Sequence, residues 1–265
     1  MKVHIPNFDT SKIGGGWTQT RYLAEGLGNS SYEEADIYFI SGATMVSHSE
    51  VEKAFDDGKK IVLRVDNHLL PSRNRNTGMS RMKAFAKMAD LIVYQSEWAR
   101  NYLLPMLGDG KVILNGVDTS IFKPGTNHDN SLYVRSSRIN EKGWEMARYW
   151  FSRNNEGKTL NIVGKFSGEN IEYNFDLYNG EKFKFWGEQP RENLAEIMRS
   201  SKYFLYSYFM DACSNTLLEA RASGCEIIDI YGMLQTGGAP EIMALEDLSK
   251  ERMIKEYQEC LQAID

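Results

Sequence analysis

The chain is poor in cysteine. Its 265 residues include only Cys213, Cys225 and Cys260, none spaced as C-x-x-C, so neither a disulfide framework nor a zinc site is implied. A basic excess is missing too. The 31 lysines and arginines stand against 36 aspartates and glutamates, a net charge of −5, which provides no overall field for gripping a nucleic-acid duplex. No apolar run approaches the roughly 18 residues of a membrane-spanning helix, and residues 1–6 read as a short strand rather than a signal peptide. There is no repeat of fixed period and no low-complexity tract. The expected setting is a reducing cytoplasm.

What is present is a 42% hydrophobic content, ample for a full core, arranged as short apolar runs alternating with helix-length segments. The runs are 2–5, 36–40, 60–65, 91–94 and 111–114, then 132–136, 160–164, 182–186, 203–208 and 226–230. Near-continuous hydrophobicity within each run predicts parallel strands covered on both faces. The expected architecture is therefore α/β, with two Rossmann-like domains, 1–124 and 125–265. The polar, turn-rich stretch from Lys123 to Asn130 marks the linker. The last segment, 248–263, sets Met253, Ile254, Tyr257 and Leu261 in an otherwise charged sequence and predicts an amphipathic helix packed on a domain surface, with the N-terminal domain as one place it can dock.

The stretch from Phe185 to Ile228 reads as helix, strand, polar turn, helix, strand. A strand that ends in a loop feeding a helix is where open α/β sheets bind nucleotides, because free N–H groups and the helix dipole favour phosphate there. Asp211 opens that turn and Glu219 lies eight positions on. The segment resembles the donor signature of retaining glycosyltransferases of GT-B fold, family 4: an acidic residue, seven residues, then Glu-Ala-x-x-x-Gly, matched by Asp211 and Glu219 to Gly224. Two departures stand out. Asp211 replaces the usual glutamate, and Ala212-Cys213-Ser214 replaces a Gly-Phe-Gly turn.

Further elements follow the same family order. Asn115-Gly116-Val117-Asp118 with Phe122 and Pro124 resembles its Asn-Gly-Val-Asp…Phe-x-Pro run, although Asn-Gly alone is an ordinary turn. Gly14, Gly15 and Gly16 precede a helix expected from about Trp17, where the family has a glycine-rich loop near acceptor and donor phosphates; the bare residues are read equally well as a flexible turn. Arg135 to Trp144 resembles the Arg…Lys-Gly element whose cations hold the donor diphosphate, which implies Lys142 with Arg138 or its rival Arg135. Arg and Lys at those oxygens stabilise leaving-group charge without a metal. Lys165 and Gly187 end neighbouring strands and are expected along the same site, Gly187 near the base. Ser214, Asn215 and Thr216 offer N–H groups to phosphate. Glu219 resembles the glutamate that binds the ribose hydroxyls, while Thr216 to Glu219 is also a capping-box sequence. Thr236-Gly237-Gly238 with Glu241 resembles a Gly-Gly-x-x-Glu loop, and turn-then-helix is its plainer reading.

On the acceptor side, Arg64-Val65-Asp66-Asn67-His68 places ionisable groups at a strand's carboxyl end. Taken alone, an Asx turn and a solvated histidine fit better. The run resembles an Arg-Leu-Asp-Gly element of small family 4 sequences, which favours Asp66 before His68. The basic residues that follow, Arg73 and Arg75 among them, suit a phosphorylated or lipid-linked acceptor or the inner face of a membrane; a solvated face explains them more simply.

The resemblance implies a sugar transferred from a nucleotide diphosphate donor, UDP- or GDP-linked, to the hydroxyl of a glycan, lipid-linked or small-molecule acceptor. It also implies retention at the anomeric carbon, no metal or other cofactor, and Asp211, Lys142, Arg138 and Asp66 as the catalytic set. At this length, insertions or one edge of the N-terminal domain are expected to be trimmed. Rival readings are a nucleotide-sugar epimerase of the same fold, for which the four histidines offer one obvious base in the expected cleft, and a non-catalytic sugar- or nucleotide-binding protein.

Overall fold

A computed structural model describes residues 1–7, 14–65, 76–126, 128–135, 143–154, 159–164 and 183–264. The chain divides into two compact units, Met1–Gly116 with Ser249–Asp265, and Val117–Leu248.

In the first unit five parallel strands lie in chain order: β1 (Val3–His4), β2 (Ile37–Ile40), β3 (Lys60–Val65), β4 (Leu91–Tyr94) and β5 (Lys111–Val112). Alternating side chains serve two cores. Tyr38, Ile40, Ile61, Leu63 and Tyr94 pack with α2 (His48–Asp56), α3 (Asn76–Met88) and α4 (Glu97–Leu107). Ile37, Phe39, Val62 and Val93 pack instead with α1 (Gly15–Leu27) and with Met253, Tyr257 and Leu261 of the C-terminal helix, Lys250–Gln262. Ile254 joins the same cluster from a less buried position.

The placement of α1 poses a problem of hand. Helix crossovers between parallel strands are almost always right-handed. The helices α2, α3 and α4 each step one strand along on one face, so a direct step from β1 to β2 through α1, on the other face, would have the opposite hand. The chain avoids this. After α1, Asn29 forms a parallel bridge with Val3, and Ser30 N–H donates to Val3 O at 2.8 Å. The Ile37 N–H bonds Lys2 O, so Asn29 lies on the edge of β1 away from β2. The Asn29 side chain extends the ladder, its Oδ1 accepting from Ile5 N–H at 2.8 Å. A strand reduced to one residue thus receives the α1 crossover, and residues 31–36 return the chain to β2.

The second unit holds β6 (His128–Arg135), β7 (Leu160–Gly164), β8 (Phe183–Gly187), β9 (Ser201–Tyr206) and β10 (Glu226–Asp229), all parallel, in the order β10-β9-β6-β7-β8. Helices α5 (Trp144–Asn154), α6 (Arg191–Arg199), α7 (Asn215–Ala222) and α8 (Ala239–Ala244) accompany them. Trp144, Ala147, Phe151, Ala195, Met198, Leu217 and Leu218 are buried. The expected boundary at 124/125 falls inside this unit. Val117 N–H donates to Leu248 O at 2.9 Å and Arg199 to Ile121 O at 3.0 Å, which ties residues 117–124 to it. The expected linker is partly strand, since His128 N–H bonds Ser200 O and opens β6.

Candidate functional site

Open α/β sheets bind ligands outside the carboxyl ends of the strands, at the point where strand order reverses. In the second unit that point lies between β6 and β9. The start of α5 and the end of β9 meet there. Gly143 has φ +64°, and a Cβ on it would stand 2.3 Å from Ser207 O, so only glycine allows the start of α5 to approach the end of β9. The Tyr208 hydroxyl donates to Val134 O of β6, and Tyr208 is fully buried, which pushes its pKa up.

The loop after β9 is held in an unusual shape. Met210 takes a left-handed φ of 50°, a conformation that non-glycine residues keep only when the surroundings enforce it. The enforcement comes from the Thr236–Gly238 loop. Met210 N–H donates to Thr236 Oγ1 at 3.1 Å, and Gly238 N–H donates to Asp211 O at 2.9 Å. Gly237, with φ +61°, would bring a Cβ to 2.3 Å from the same carbonyl. The glycine pair at 237–238 thus clamps Asp211, whose residue is partly buried.

Ser214 then caps α7. Its Oγ accepts from Leu217 N–H at 3.4 Å and lies 3.1 Å from Thr216 Oγ1, leaving the first turn of the helix directed at the end of the sheet. The cap is therefore Ser214 and not Thr216, so the capping-box reading of Thr216 to Glu219 does not describe the helix start. Glu219 instead lies one turn in, 5% exposed, with Oε1 at 3.0 Å from Arg191 Nη1. Burial raises its carboxyl pKa, and Arg191 pulls it back down. Arg191, the first residue of α6, was not expected as part of the site. Its one sequence signal is a cation at a helix N-terminus, against the dipole. Its guanidinium carbon sits 4.9 Å from the centre of the fully buried Phe122 ring.

Asp211, Ser214, Asn215, Thr216 and Glu219 all belong to one loop-helix segment beside the end of β6. Arg135 is the last residue of β6. Gly187 ends β8 at the sheet edge beyond β7. Arg138, Lys142 and Lys165 lie outside the described residues, as do Asp66, His68, Arg73 and Arg75. In the first unit Gly15 and Gly16 open α1, two residues earlier than expected, and a Cβ on Gly16 would meet nothing within 4 Å. Two motifs converge in that unit. The fully buried Arg64 donates to Ser41 O at 2.9 Å and to Asn115 Oδ1 at 2.8 Å, and Asn115 donates on to Gln95 at 3.0 Å. Among the described residues no group of three or more His, Cys, Asp or Glu side chains is placed to hold a metal ion.

No protein-family model matches the chain, and no curated protein does. Solved structures do. Anabaena HepE in complex with UDP superposes with TM-score 0.65 at 15% identity, over 86% of this chain and 70% of that one. Sucrose-phosphate synthase from Thermosynechococcus elongatus gives 0.67 at 13% identity, over 92% and 76%. AviGT4, a glycosyltransferase involved in avilamycin A biosynthesis, gives 0.66 at 14% identity, over 97% and 96%. The chain has the GT-B fold of such glycosyltransferases, with two parallel-sheet α/β units.

Proposed function

We propose that the protein is a glycosyltransferase that takes its sugar from a nucleotide diphosphate donor and delivers it to an acceptor hydroxyl, with retention at the anomeric carbon and without a metal. The observation that supports this reading is the close approach of Gly143, at the start of α5, to Ser207, after β9, at the reversal point of a doubly wound sheet, with Asp211, the Ser214 helix start and Glu219 on the segment that follows. The shared fold with HepE, which was solved with UDP, supports it.

Each residue type suits one part of a nucleoside diphosphate sugar. The amides at Ser214 to Thr216 suit phosphate oxygens. Glu219 suits the ribose hydroxyls, since a carboxylate accepts two hydrogen bonds. Asp211 suits hydroxyls of the donor sugar. Lys142, with Arg138 or Arg135, neutralises charge that grows on the diphosphate as the bond to the sugar breaks. In a front-face path the departing phosphate takes the proton of the attacking acceptor hydroxyl, so no enzymic nucleophile is needed, and catalysis rests on positioning and charge. Asp66 then orients the acceptor, with His68, Arg73 and Arg75 on that side. UDP- and GDP-sugars are the first donors to test, in a cytoplasmic setting that includes the inner face of a membrane.

The test is product analysis by NMR with UDP- and GDP-sugars, sugar acceptors and EDTA. A glycoside of retained configuration is expected. Lys142→Ala should lower turnover about 10²- to 10³-fold with the fold intact. A donor epimerised and not transferred, or nucleotide bound with no turnover, would replace this reading with one of its rivals.

A further inference from the structure

The Glu219–Arg191 pair is not accounted for by stability alone. Burying a carboxylate is costly even when it is paired, yet Glu219 is buried and, among the described residues, pairs through one oxygen. Oε1 meets Arg191 at 3.0 Å, and Oε2 has no partner among the described residues, although the residue is only 5% exposed. Arg191 is in turn laid against the Phe122 ring at 4.9 Å, and Phe122 is anchored by the turn in which Phe122 N–H donates to Asp118 O at 2.9 Å. Three segments distant in sequence are thus linked in a row, Phe122 to Arg191 to Glu219.

We propose that Arg191, seated on Phe122, is a positioning residue that keeps Glu219 ionised and turns its unpaired Oε2 toward a vicinal diol, so that it sets selectivity for a ribose over a sugar lacking its hydroxyls. This rests on the donor-site reading above. An ionised carboxylate accepts from both hydroxyls, whereas a protonated one must spend one oxygen as a donor. Burial favours the protonated form and Arg191 opposes it. The ionisable groups that act around Glu219 among the described residues are Arg191 from α6 and the Tyr208 hydroxyl from the loop after β9.

The experiment is calorimetric binding of UDP, GDP and ADP, each beside its 2′,3′-dideoxy counterpart, at pH 5.5 and pH 8, to the intact protein and to Arg191→Gln, Arg191→Lys and Glu219→Gln. Wild type should prefer the ribose form by about tenfold or more, as hydrogen bonds to a charged group warrant. Arg191→Gln should lose most of that ratio and bind the ribose form more weakly at pH 5.5 than at pH 8. Its affinity for the dideoxy form should stay unchanged and pH-independent. Arg191→Lys should retain part of the ratio, which keeps the test informative if the glutamine variant folds poorly. A ratio and pH profile in both variants equal to wild type would overturn the proposal while leaving the donor site standing. Wild type that binds none of the three diphosphates would remove the donor-site reading itself and this inference with it.

Discussion

Gly143 and Glu219 are the single residues on which the candidate site depends most, and each makes a prediction. A Cβ at 143 would stand 2.3 Å from the backbone oxygen of Ser207 and 2.7 Å from Met146 Cε, in a left-handed conformation. Gly143→Ala should therefore cost about 1–3 kcal/mol, read by urea unfolding, and should weaken nucleotide binding as the loops part. Glu219 has its folded pKa raised above the ordinary value of 4.5. Such a group contributes stability below its unfolded pKa and loses it as pH rises through the folded pKa. The stability of Glu219→Gln relative to wild type, both without ligand, should thus grow between pH 4.5 and pH 7; a decline over that range would contradict the assigned burial cost. The strand-loop-helix that carries Asp211, Ser214 and Glu219 was legible in the sequence, because an apolar run, a polar turn and a helical segment follow one another locally. Arg191 was not, because its role depends on two contacts, with Glu219 and Phe122, that are remote in sequence.

At the scale of elements, β3, β4 and β7 have the bounds that the apolar runs predicted, since buried parallel strands carry the signal on both faces. The early start of α1 was hidden by glycines, which read as a turn when taken one by one. The one-residue strand at Asn29 was invisible for a different reason. Its pairing with β1 runs partly through a side chain, and no hydrophobic periodicity records that. It also closes an edge that would otherwise present open backbone groups. Asn29→Ala should cost about 1–2 kcal/mol by leaving the Ile5 amide unpaired, and hydrogen exchange should quicken along β1 with β6 to β9 unaffected. Equal loss of protection in both sheets would mean that Asn29 does not act as the edge of its own sheet.

At the scale of the molecule, the sequence resolved two α/β halves but not where they part. The polar run at 123–130 has a linker's composition, yet Val117 already pairs with Leu248, and Phe122 is buried in the second unit. The C-terminal helix was legible as amphipathic because Met253, Tyr257 and Leu261 repeat at helical spacing, and the first unit's core takes all three. The proposed activity requires the second unit to bind a nucleoside diphosphate. The most direct measurement is the thermal unfolding of the intact protein with UDP, GDP, ADP, CMP and dTDP, with and without EDTA. A bound diphosphate at about 100 times its dissociation constant stabilises by about 2.7 kcal/mol, a shift of several degrees. The prediction is a shift with one or two diphosphates, unchanged by EDTA and reduced in Lys142→Ala. No shift with any of them would contradict the proposed phosphate site at the Ser214 helix start.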